Sequence, residues 1–224
     1  MKTTKRSPKK ASGISAEKIR DAYLKYLLSE GKQPVSVYKF CLDLKISEED
    51  FYSHFGSFEG LEQNVWKNFI DQTIKRLKND ESYTTFNARE KLLAFYYTLL
   101  EVMKPSRSFI LLQLKTFHEP RLVPGYLTDF KKVFEVFITD LVTEAVNKEE
   151  IGKRPLFDKL YPQAFWIHFG FLLLFWKNDA STGFEKTDAA VEKSVNLAFD
   201  LIGKGAFDSA LDFAKFLYQN RMPF

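Results

Sequence analysis

The chain has 224 residues, of which 45% are hydrophobic and 28% charged, with a formal net charge of +4 and a single cysteine. That length and balance fit a soluble globular protein with a sizeable core, built as one large domain or as a small domain fused to a larger one. One cysteine excludes an intramolecular disulfide and fits a reducing, cytoplasmic setting, and the longest apolar run, residues 169–176, is too short to span a bilayer.

The excess charge is local. Lys2, Lys5, Arg6, Lys9 and Lys10 stand in the first ten residues without an acid, whereas residues 11–79 hold 10 basic and 10 acidic side chains and the remainder holds 18 and 19. Residues 1–13 are read as a basic flexible tail, able to follow DNA phosphates or simply to solubilise the terminus, and not as a signal peptide. Ser15 then caps a helix to about Ser29 with the stripe Ile19, Ala22, Tyr23, Tyr26 and Leu27, and Gly31 ends it. Ser36 caps a short helix carrying Val37, Phe40, Cys41 and Leu44, where Cys41 is expected to be a small core residue. Lys45 and Ile46 break the pattern, and Ser47, with Asp50 three residues on, opens a second short helix whose apolar side is Phe51, Tyr52 and Phe55. Two such helices joined by a tight turn form a helix-turn-helix, in which the second is sized for a DNA major groove; a purely structural helix pair shares the pattern.

Leu61, Val65, Phe69, Ile70, Ile74 and Leu77 predict a longer helix over residues 58–79, with a boundary at Asn79-Asp80-Glu81-Ser82. A helix over residues 88–103 is apolar on more than one face and ends at Pro105; Ser106 or Ser108 caps a short helix through Phe117, stopped by His118-Glu119-Pro120. Pro124-Gly125 opens a long helix to about Asn147, and residues 152–155 form a loop. Residues 161–177 are apolar nearly all round, a pattern that requires cover on every side, and a further helix is predicted over residues 188–202. A last amphipathic segment, residues 207–218, is expected to pack back on the core. No internal repeat or strand pattern is evident, so the fold class is all-α.

An apolar helix ending in Ser29-Glu30-Gly31, then Val35-Ser36-Val37, Ile46-Ser47, Phe51-Tyr52-Ser53-His54-Phe55 and Glu59-Gly60-Leu61, resembles the N-terminal domain of TetR/AcrR-type transcriptional regulators over residues 14–77. The resemblance implies a helix-turn-helix DNA-binding domain with its connecting helix at residues 14–79, and a C-terminal ligand-binding and dimerisation domain at residues 80–224. It implies that Tyr52 and His54 contact DNA phosphates and that Ser47, Glu48, Glu49 and Ser53 lie nearest the groove, with Ser36 added to the DNA-facing set. It also implies a homodimer through the last two main helices, which form a four-helix bundle with their twins. The family carries a lysine before the Glu-x-Leu, where it meets a phosphate; this chain has Phe58, and it opens the recognition helix with Glu48, Glu49 and Asp50.

A catalytic reading finds no phosphate loop, nucleophile elbow or zinc-binding helix, and His54, His118 and His168 lack ligand-like spacing, so no enzyme activity, metal or cofactor is expected. His168, among apolar neighbours, is read as a hydrogen-bonded core histidine, and His118 as a helix-end cap. The 23 phenylalanines exceed what a small bundle needs. A cavity lined by Phe95, Tyr96, Met103, Phe117, Phe134, Phe137, Trp166 and Phe169 would accept a small apolar or aromatic ligand; a dense aromatic core is the alternative. These readings converge on a dimeric regulator of a double-stranded DNA operator, a repressor released by an apolar ligand. The competing reading is a TetR-fold lipid or isoprenoid binding protein that has lost sequence-specific DNA binding.

Overall fold

The computed structural model describes residues 13–116, 123–152 and 160–203. Among them every regular element is helical, and one isolated bridge, Ile151 to Gly203, is the sole extended pairing. By its contacts the chain divides into two units between Val65 and Trp66.

The first unit holds α1 (Ala16–Glu30), α2 (Val37–Leu44), α3 (Glu48–Tyr52) and the start of α4 (Phe58–Lys78). Each of the first three begins on a serine in extended conformation whose hydroxyl accepts from an orphan amide: Ser15 from Lys18, Ser36 from Lys39 and Ser47 from Asp50. Gly31 ends α1 at φ +66°, the left-handed conformation that glycine adopts without a Cβ penalty. The apolar faces converge on Phe40, whose ring meets Tyr23, Phe51 and Phe58 edge-on at 5.6 to 6.2 Å. Each buried phenylalanine contributes about 1.5 to 3 kcal/mol, enough together to hold three short helices that would be marginal alone. Cys41 is buried and unpaired in this core. The Tyr23 hydroxyl donates to Glu62 and accepts from Gln33, and burial pushes the phenol above its ordinary range.

The second unit contains the rest of α4, then α5 (Ala88–Met103), α6 (Arg107–Gln113), α7 (Thr128–Asn147), α8 (Tyr161–Asn178) and α9 (Glu185–Ile202). A reciprocal cap between Asn87 and Glu90 starts α5. Helix α7 packs on α8, and α5 packs on α9 and α7. The ring of Trp66 stacks on Tyr126 at 5.7 Å, and Lys91 reaches both carboxylate oxygens of Glu144 at 2.6 Å. At the far end of α8, Arg107 donates to the carbonyls of Trp176 and Asp179 at 3.0 and 3.2 Å, while Lys177 donates to that of Leu114 at 2.8 Å.

One expectation is adjusted. Helix α9 begins at Glu185, three residues earlier than its apolar stripe, because Asp179 accepts from both the amide and the hydroxyl of Thr187 and so caps it from outside the helix. Two bonds from Ser181, together with those from Thr187, hold the Asp179 carboxyl well below its usual range. Within its own chain α8 leaves Phe171 and Phe175 exposed, the side for which the sequence reading calls on a second copy. The expected basic tail, the stop at residues 118–120, most of the 152–155 loop and the segment 207–218 lie outside the described residues.

Candidate nucleic-acid interface

The geometry of α3 is set by one reciprocal cap. The Ser47 hydroxyl accepts from the Asp50 amide at 3.1 Å and gives its own hydrogen to Asp50 Oδ2 at 2.6 Å, and the same carboxylate oxygen accepts the Ser47 amide at 3.0 Å. Asp50 is thereby buried, and the acidity expected at the groove reduces to Glu48 and Glu49, both exposed on the first turn where negative charge suits the helix dipole. The Ser53 hydroxyl donates to the Asp50 carbonyl at 2.7 Å. The hydroxyl hydrogens of Ser47 and Ser53 are thus committed to α3 itself, leaving each oxygen as an acceptor toward any partner. Tyr52, expected with Phe51 and Phe55 on the apolar side of α3, is 53% exposed, and only the two phenylalanines of that trio are buried. His54 Nε2 stands 3.0 Å from the Ile14 carbonyl, just before α1. Ser36 is exposed one helix away, occupied as the cap of α2.

One feature that residue type did not reveal lies in the turn between α2 and α3. Lys45 sits at φ +59°, ψ +41°. Its amide donates to the Leu42 carbonyl at 3.2 Å and the Ile46 amide to that of Cys41 at 3.0 Å, which is the Schellman closure of a helix with lysine where glycine is favoured. A side chain in that conformation costs on the order of 1 kcal/mol.

In the second unit the predicted ligand residues come together as one aromatic cluster of α5, α7 and α8. Phe95 stacks on Phe137 with centroids 4.2 Å apart, and Phe134 touches Phe95, Trp166 and Phe169 at 5.6 to 5.9 Å. Met103 is buried, and Phe117 and His118 lie outside the described residues. The buried indole N–H of Trp166 has no acceptor among the described residues. Tyr96 leads from the cluster to a polar chain: its hydroxyl lies 3.1 Å from His168 Nδ1, whose Nε2 lies 2.8 Å from Ser194 Oγ, which donates to the Ala190 carbonyl at 2.6 Å. Because the serine hydrogen goes to the helix carbonyl, Nε2 carries the ring hydrogen and Nδ1 accepts from tyrosine. Burial holds this imidazole down at about 4, so it is neutral near pH 7. His168 is therefore the hydrogen-bonded core histidine its neighbours implied. Beside it, Tyr161, Phe165, Leu197 and Leu201 line an open groove of about 320 Å³ between α8 and α9.

Residues 91–217 match the family model described as tetracyclin repressor-like, C-terminal domain. The chain belongs to the TetR family of transcriptional regulators. Solved structures agree on the fold. A putative TetR-family transcriptional regulator from Syntrophomonas wolfei aligns with a TM-score of 0.66 and 15% identity, over 85% of this chain and 96% of that one. The fatty acid degradation regulator FadR from Bacillus halodurans aligns with a TM-score of 0.59 and 12% identity, over 81% and 97%. A regulatory protein of the tetR family from Rhodococcus RHA1 gives 0.52 and 14%, over 84% and 96%. No curated protein matches the sequence.

Against the TetR pattern, the position of the phosphate-binding lysine is filled by a core ring. Phe58 is 8% exposed and stacks on Tyr23 at 5.2 Å, so this site offers a phosphate nothing. No described helix is long and apolar enough to cross a membrane.

Proposed function

We propose that this TetR-family chain is a homodimeric DNA-binding transcription regulator, a repressor of a double-stranded operator that a small apolar ligand releases. The observation that carries the reading is the capped α3, which presents Glu48, Glu49 and Tyr52 to solvent beside His54. Tyr52 and His54 set the helix on phosphates, and a glutamate accepts from cytosine N4. Ligand control acts by population shift: the ligand favours a dimer spacing that no longer fits two half-sites roughly 34 to 36 Å apart. The aromatic cluster of α5, α7 and α8 offers an apolar lining for such a ligand, and the Trp166 N–H, which meets no acceptor among the described residues, suits one that carries a hydrogen-bond acceptor. A fold neighbour named as a fatty acid degradation regulator is in keeping with that chemistry.

The second reading, a lipid or isoprenoid carrier without operator recognition, is favoured by Phe58, whose burial removes a cation from the DNA side, and by the neutral charge balance of residues 11–79. Thermal unfolding against a panel of fatty acids, isoprenoids and quinones separates the two when the same ligands are added to a protein–duplex complex. A binder at about 100 times its dissociation constant adds roughly 2.7 kcal/mol of stability. A ligand that stabilises the protein and releases the duplex supports the regulator; one that stabilises it and leaves duplex binding unchanged supports the carrier.

A further inference from the structure

We propose that Lys45 binds a DNA phosphate, supplying from the turn between α2 and α3 the cation that Phe58 withholds. The inference rests on the DNA-binding reading above. Lys45 is exposed, and no described ion pair involves it. Its backbone occupies the left-handed position of the Schellman closure, which glycine would satisfy with less strain and asparagine nearly as well. The side chain therefore adds nothing to the turn that its backbone needs. Strain kept at such a position is best explained by what the side chain does outside the motif.

The surroundings define that task. Between Ser36 and Leu61 the cations are Lys39 and Lys45, against exposed Asp43, Glu48, Glu49 and Glu59. A helix bringing Glu48 and Glu49 to a polyanion needs a positive group close by, and Lys45 stands three residues before Glu48. A lysine ammonium is a compact charge on a long flexible stem, suited to a single phosphate oxygen and carrying no base preference. The assigned partner is thus the phosphodiester backbone beside the groove that α3 enters.

The full chain is titrated by fluorescence anisotropy against a duplex of about 30 base pairs of randomised sequence at several salt concentrations, and its melting midpoint is recorded without DNA. Lys45→Gly is expected to raise the midpoint by about 2 to 4 °C through relief of the turn. It is also expected to weaken duplex binding about eight-fold at 0.1 M salt and to reduce the slope of log affinity against log salt by about 0.9, the signature of one lost phosphate contact. Lys45→Arg keeps affinity and slope, while Lys45→Asn loses both without strain. Unchanged affinity and slope in Lys45→Gly would overturn the proposal, and so would a midpoint that fails to rise, since the backbone cost is its premise. Failure of the wild-type chain to bind this duplex at low salt removes the DNA-binding reading itself, and that result is read on the wild type alone.

Discussion

His54 Nε2 lies 3.0 Å from the carbonyl oxygen of Ile14, tying the end of α3 to the entrance of α1. A carbonyl only accepts, so Nε2 donates this bond. His54→Ala removes the tie and should destabilise the chain by about 1 kcal/mol, whereas His54→Gln keeps an amide donor for Ile14 and should retain most of that stability. Urea unfolding of both variants checks this; equal losses would show that the ring's packing, not its bond to Ile14, is what matters.

His168 makes a prediction about stability. Its imidazole is held from the ordinary 6.5 down to about 4 by burial, so between those values the unfolded chain takes up a proton that the folded chain refuses. Stability should then be unaffected by this group above about pH 6.5 and fall as pH drops toward 4, by on the order of 3 kcal/mol at most. Urea unfolding of wild type and His168→Gln across that range should give a flatter acid limb for the variant. Parallel curves would mean that carboxylates alone govern the acid limb.

The exposed side of α8 and α9 makes a prediction about assembly. Phe171 is 45% and Leu197 60% exposed, whereas Val195, on the opposite side of α9, is fully buried in its own chain. Phe171→Asp and Leu197→Asp should therefore yield folded monomers, while Val195→Asp should unfold the chain, since an unpaired buried charge costs several kcal/mol, on the order of 3 or more. Sedimentation velocity with circular dichroism distinguishes these results. Dimers in both surface variants would place the interface elsewhere.

What was legible in the sequence depended on how local its cause is. Helix α5 runs over the expected residues 88–103 because its start is a cap four residues wide and its end is a nearby proline. The start of α9 was not legible, because Asp179 caps it from eight residues before Thr187. His168 reads as a satisfied polar group from its apolar neighbours, yet Tyr96 and Ser194 reach it from 72 and 26 residues away, distances that only the packing closes. Among the DNA-side residues, the exposure of Glu48 and Glu49 follows from helical phase, whereas that of Tyr52, an aromatic counted on the apolar side, does not. The commitment of Ser47 and Ser53 to Asp50 does not, nor does the left-handed Lys45, a residue type that gives no sign of that conformation.

The central claim is that α3 reads a DNA sequence. It is tested most directly by incubating the purified chain with a pool of random duplexes at low salt, and sequencing the bound fraction through successive rounds. The account predicts enrichment of a two-fold symmetric motif with half-sites about one helical turn apart. In that motif Glu48→Ala or Glu49→Ala relaxes preference at one base pair, worth about 1 to 3 kcal/mol. A bound fraction with no enriched motif, and with residual binding lost on deleting residues 1–10, would contradict it.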